Sequence, residues 1–232
     1  MDCREFGAVR ASSQGAARVP PPHHGVTRRR CAIAAILVTV STVSCIQPPT
    51  PLTVAMTFAN SWRIAGEPLT QTEQAQLKQA ALDAMRSAFR GFDLVVGEQL
   101  SRGAREIRVE DTPYGRRLDF GATGVTYPAS RRSSVRFDVL ANVELAVVQC
   151  RTLSHCPGTS RAALIEGLGR GVGATAAHEL GHQRGFEFTR DSHCDDCYDG
   201  TASTSYAHFF GAKHWSDAAL EVMKRTLRQK GT

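Results

Sequence analysis

Several things are scarce in this 232-residue chain, and each absence removes a class of protein. No apolar run approaches the roughly 20 residues that a membrane-spanning helix needs. The longest, CAIAAILVTV at 31–40, reaches only Cys45 with its flanking small residues, so a polytopic membrane protein is excluded. There is no internal repeat, and no low-complexity block outside the first 44 residues. Basic charge is also absent where it would matter. Residues 1–44 carry six arginines against Asp2 and Glu5, which leaves 22 basic and 20 acidic residues from 45 onward, a net of +2. A nearly balanced chain lacks the field that drives phosphate-backbone binding, so nucleic acid is not an expected partner. With 42% hydrophobic and 22% charged residues the composition is that of an ordinary globular domain rather than a disordered chain.

The front of the chain reads as an export signal. Arg28, Arg29 and Arg30 precede the apolar run, and small residues follow it. Residues 1–25 fit no part of such a signal, and Val26 is an alternative start. Thr42-Val43-Ser44-Cys45 resembles the lipobox of bacterial lipoproteins, although Thr42 stands where that family usually has an aliphatic residue. The resemblance implies lipidation of Cys45, cleavage before it, and attachment to a membrane of the bacterial cell envelope. A plain cleaved signal would instead give a periplasmic or secreted protein. Residues 45–51, with Pro48, Pro49 and Pro51, then form a short stiff tether. Export leaves Cys150, Cys156, Cys194 and Cys197 in an oxidising compartment. Pairing of Cys150 with Cys156 and of Cys194 with Cys197 is favoured by proximity, and a four-cysteine zinc site is the competing reading.

From 52 to 232 the pattern is that of one α+β domain, with the strand–helix–strands–helix order of an α/β chain. LTVAMTF (52–58) reads as a strand. Thr70 and Glu73 form a capping box that opens a helix, with Leu77, Ala81, Met85, Ala88 and Phe89 on one face and Gly91 beyond its end. Strands are expected at 105–111, 118–125 and 134–140, the last with Val135, Phe137 and Val139 on one face. Helices are expected at about 161–184 and at 217–228.

The informative string is His178-Glu179-Leu180-Gly181-His182. Residues four apart share a helix face, so both imidazoles can address one zinc ion, with Glu179 placed to take a proton from a water activated there. HELGHQRG (178–185) resembles the zincin metallopeptidases and, through Gly185, the metzincin clan with its HExxHxxGxxH pattern. That resemblance implies a mixed sheet over a long zinc-binding helix, one catalytic Zn2+, and hydrolysis of peptide bonds in a protein or peptide substrate. Phe188 occupies the position of the clan's third ligand and cannot bind zinc. His193, whose His193-Cys194 pair resembles the third-ligand segment of archaemetzincin-like proteins, is the expected replacement. Asp191 is the alternative, and Glu221 on the last helix a more distant one. The clan's methionine turn is missing, since Met223 is the only methionine after the motif and Cys197-Tyr198-Asp199 stands in its place. Tyr198 and Tyr206 could steady an oxyanion or simply pack. His208 and His214 are expected to support packing below the site, His155 to be exposed, and Asp195 and Asp196 to form a solvated turn. The glycines 167, 169, 171 and 173 suit close packing of the helix under a sheet. Two functions remain open on sequence alone: a zinc metalloendopeptidase, and a non-catalytic envelope lipoprotein that binds zinc or a partner. Glu179 favours the first, because a pure binding site needs no carboxylate in the general-base position. The oligomeric state is not legible.

Overall fold

The computed structural model describes residues 51–59, 62–64, 67–111, 122–127, 130–141, 160–185, 194–200 and 206–231. These lie in a compact unit spanning Pro48–Thr232. Cys45, Cys150, Cys156, His155, Phe188, Asp191 and His193 fall outside the described residues.

The chain runs β1 (Leu52–Phe58), a small antiparallel pair β2 (Arg63–Ile64) and β3 (Glu67–Pro68), α1 (Gln71–Ala88), β4 (Leu94–Gly97), β5 (Arg105–Glu110), β6 (Gly124–Tyr127), β7 (Arg132–Arg136), α2 (Phe137–Val139), α3 (Arg161–Gln183), α4 (Tyr206–Phe209) and α5 (Asp217–Thr226). The main sheet has the order β4-β1-β5-β7-β6. Its first four strands are mutually parallel, and β6 alone runs antiparallel, with Gly124 opposite Val135 and Tyr127 opposite Arg132. The mixed sheet and the helices establish the α+β class. Val54, Ala55 and Met56 in the middle of β1 are all fully buried, as a strand with parallel neighbours on both sides requires.

Helix α1 begins with the expected capping box, in which Thr70 Oγ1 accepts from Glu73 N at 3.3 Å and Thr70 N donates to Glu73 Oε2 at 2.9 Å. Arg161, at the start of α3, donates to the same Glu73 carboxylate, so one ion pair ties the two long helices together. That hydrogen bond, ahead of the one from the Thr70 backbone, lowers the Glu73 carboxyl to about 2.

Two sequence expectations need correction. The strand expected at 134–140 ends at Arg136, and Phe137–Val139 turn into a short helix. There Phe137 stacks on Trp62 with centroids 4.8 Å apart, so its apolar spacing served a core contact rather than a strand face. The described part of the strand expected at 118–125 is shifted to Gly124–Tyr127. Strand β4 was not anticipated: its four residues are too few to show a period.

Helix α3 is buried almost all round, from Leu164 to His182. Its glycines explain how, though not by the contact expected. A Cβ on Gly169 would stand 2.5 Å from Leu77 O, and one on Gly173 would stand 2.3 Å from Ala81 O, both in α1. Gly167 and Gly171 face the Phe210 and Phe209 rings in the same way. The glycines therefore admit a helix and an aromatic loop; the sheet lies on another side of α3, where Glu179 meets β6. Among the described residues, no helix is long and apolar enough to cross a membrane.

Candidate metal and catalytic site

The last two turns of α3 bring His178 and His182 together as their four-residue spacing dictates. Their Nε2 atoms approach to 2.8 Å, with the ring planes at 83°. Both rings thus direct the same nitrogen to one point, the arrangement that two imidazole donors to a single zinc ion require. A tetrahedral site with Zn–N of about 2.0–2.1 Å would separate them by roughly 3.4 Å, a shift of a few tenths of an ångström. The donor set fits zinc.

The far side of His178 is fixed by main chain: its Nδ1 lies 3.0 Å from Tyr198 O, which can only accept. Nδ1 therefore carries the proton and Nε2 presents its lone pair outward. Burial, opposed by this hydrogen bond, lowers the His178 pKa and favours the neutral ring that a metal ligand must be.

Glu179, the next residue along the helix, meets strand β6 of the sheet. It is buried, and its Oε2 accepts from Thr126 Oγ1 of β6 at 2.5 Å; Thr126 in turn meets Ser133 Oγ of β7 at 2.8 Å. A Cβ on Gly124 would stand 2.2 Å from Glu179 Oε1, so only glycine leaves room for the carboxylate in this pose. Neither Thr126 nor Gly124 was singled out from sequence. They lie more than fifty residues away from Glu179, and only strand pairing places them over α3.

The segment in place of a methionine turn is well organised. Tyr198 N donates to His214 O at 2.7 Å and His214 N donates to Asp196 O at 3.0 Å. The buried Asp199 accepts from Ser216 N at 2.9 Å and from Ser216 Oγ, and so locks the segment to the start of α5, where Ser216 is the N-cap. Tyr198 contributes its carbonyl to the site, and its ring packs on Trp215 at 5.2 Å. Tyr206 is exposed. His208 is fully enclosed, with Nε2 3.1 Å from Thr175 Oγ1, and burial depresses its pKa to about 3, so it packs as a neutral ring, as expected.

Cys194 and Cys197 form the expected disulfide. One donor atom from each of Cys194, Asp196, Cys197 and His214 lies within 4.8 Å of the others, a group that could hold a metal ion. With the two sulfurs bonded to each other, neither is a thiolate, and the group has one imidazole and one carboxylate left to offer. The His178–His182 pair offers two imidazole nitrogens that no disulfide removes. Glu221, the most distant third-ligand option, sits on α5 and bonds Lys224 Nζ at 2.9 Å.

No family model matches the chain, and neither a curated protein nor a solved structure does.

Proposed function

We propose that the protein is a zinc-dependent metalloendopeptidase, exported to the bacterial cell envelope and lipid-anchored at Cys45. The observation that carries the catalytic reading is the convergence of the His178 and His182 Nε2 atoms beside a buried glutamate on the same helix turn. The α+β architecture, with a mixed sheet over a long helix, is what a zincin resemblance implies and supports it.

His178 and His182 would hold the ion, with His193 as the third ligand and Asp191 as the alternative. Zinc held there would supply Lewis acidity and lower the pKa of a bound water to near neutrality. The chain's own residues do the rest. The Tyr198 carbonyl keeps His178 in the donor tautomer. Thr126 and the bare Cα of Gly124 hold the Glu179 carboxylate in one rotamer. Glu179 takes the proton from the attacking water and passes it to the leaving amine nitrogen. Strand β6 pairs with β7 on one side, and an antiparallel edge of this kind can add an extended peptide by main-chain hydrogen bonds. The substrate class that follows is an extended protein or peptide segment.

Glu179→Gln tests the reading. The amide keeps the size and the Thr126 contact but cannot take the proton, so zinc should stay bound while peptide cleavage falls at least ~10²-fold. Near-normal turnover would refute the mechanism. A zinc-loaded native protein that cleaves nothing in a peptide library would favour the non-catalytic lipoprotein instead.

A further inference from the structure

At the end of the sheet where β1 begins, a concavity of about 630 Å³ is lined by Leu52, Asp93, Arg102, Arg184, Thr226 and Arg228. Three arginines and one aspartate thus line it, in a chain that is otherwise nearly neutral from residue 45 onward. Asp93 is engaged by Arg228 at 3.5 Å. Arg184 donates from Nη2 to Thr226 O, and its Nε is buried with no acceptor. Arg105 and Arg131 stand next to this group. Burial first, and then the positive charges of Arg184 and Arg131, lower the Arg105 pKa. Planar guanidinium groups clustered at one concavity match the geometry and charge of a phosphate.

Position decides which phosphate. Leu52, on the rim, is seven residues from Cys45. Seven extended residues reach about 25 Å, whereas a folded body of this length is roughly 40 Å across. A chain anchored at Cys45 would keep Leu52 within that reach of the bilayer. We propose that the concavity formed by Arg102, Arg184 and Arg228 binds the phosphate of an anionic phospholipid headgroup and seats the domain on the membrane. The choice of a lipid over a free anion rests on the anchored reading of Cys45 given above.

The test uses the mature chain as isolated from cells, with the mass of its N-terminal peptide determined first. Amide exchange is then compared on vesicles of phosphatidylcholine and on vesicles of phosphatidylcholine with phosphatidylglycerol. Slower exchange at Gly103–Arg105 and Leu227–Arg228 is expected on the anionic vesicles only, reversed by high salt. Arg102→Ala and Arg228→Ala, both of exposed residues, should abolish the difference, and Arg170→Ala on α3 should leave it intact. Equal exchange on the two vesicle types overturns the proposal, as does a difference insensitive to the two rim variants. Equal protection by inorganic phosphate or an acidic peptide without vesicles overturns the lipid assignment. An N-terminal peptide without lipid, combined with protection on anionic vesicles, removes the anchor and leaves the headgroup site standing.

Discussion

Gly173→Ala sets two physical effects against each other, and the sign of the result shows which one governs α3. In an isolated helix this change is favourable by about 1 kcal/mol, because glycine gives up the most backbone entropy. In the protein the new methyl would lie 2.3 Å from Ala81 O and 2.7 Å from Ala84 Cβ. Ordinary carbon contacts begin near 3.4 Å, so α1 and α3 would have to separate by about 1 Å along a seam where both use rows of small residues four apart. The obstacle is a backbone carbonyl, which no rotamer change can move. The cost therefore belongs in the upper part of the ~1–3 kcal/mol range for overpacking. Subtracting the propensity gain leaves a net loss of about 1–2 kcal/mol, or a fall of roughly 2–8 °C in Tm for a domain of this size. Urea titration of the metal-free protein reads this directly as a lower midpoint at unchanged slope. Gly169→Ala should behave alike, since its Cβ would meet Leu77 O at 2.5 Å. The double variant should lose less than the sum, because one helix displacement relieves both contacts. Stabilisation by Gly173→Ala would refute the reasoning, showing that the helices part freely.

The other expectations concern the site and its surroundings. Metal analysis should give one zinc per mature chain, lost in the double variant His178→Ala, His182→Ala; the third ligand follows from comparing His193→Ala, expected to weaken zinc about 10-fold or more, with Asp191→Ala, expected to do less, and the reverse order would restore the aspartate. Gly124→Ala should leave zinc and folding largely intact, because the atoms nearest the new Cβ belong to the Glu179 side chain rather than to backbone, but should cost activity on the scale of Glu179→Gln; unimpaired turnover would show that the Glu179 pose is not the working one. Burial holds the folded-state pKa of His208 at about 3 against 6.5 in an unfolded chain, so its contribution is fully present above pH 6.5 and is lost as pH falls towards 3. From pH 6.5 to pH 5 the metal-free protein should lose on the order of 1–2 kcal/mol through this group. His208→Gln should flatten that slope, and an unchanged slope in the variant would discard the assignment.

What the amino-acid order determined unaided is local. The capping box at Thr70 and Glu73, the helix that carries His178 and His182, and the Cys194–Cys197 pair depend on residues within a few positions of one another. Helix geometry or short-loop closure converts their spacing into structure with little help from elsewhere. Tertiary structure decided what depends on distant pairing. Phe137 carries the alternation of a strand yet turns into α2, because stacking on Trp62 outweighs a weak local preference. The helix glycines announced a close approach without naming its partner, and only the assembled layers show α1 and the Phe209–Phe210 ring pair in that role. The same holds for the site. The two histidines could be read from the chain, but the Tyr198 carbonyl that orients one of them is main chain, which no residue identity encodes. Thr126 and Gly124 reach Glu179 only because β6 runs antiparallel at the sheet edge over α3, and strand order is set by the whole core at once.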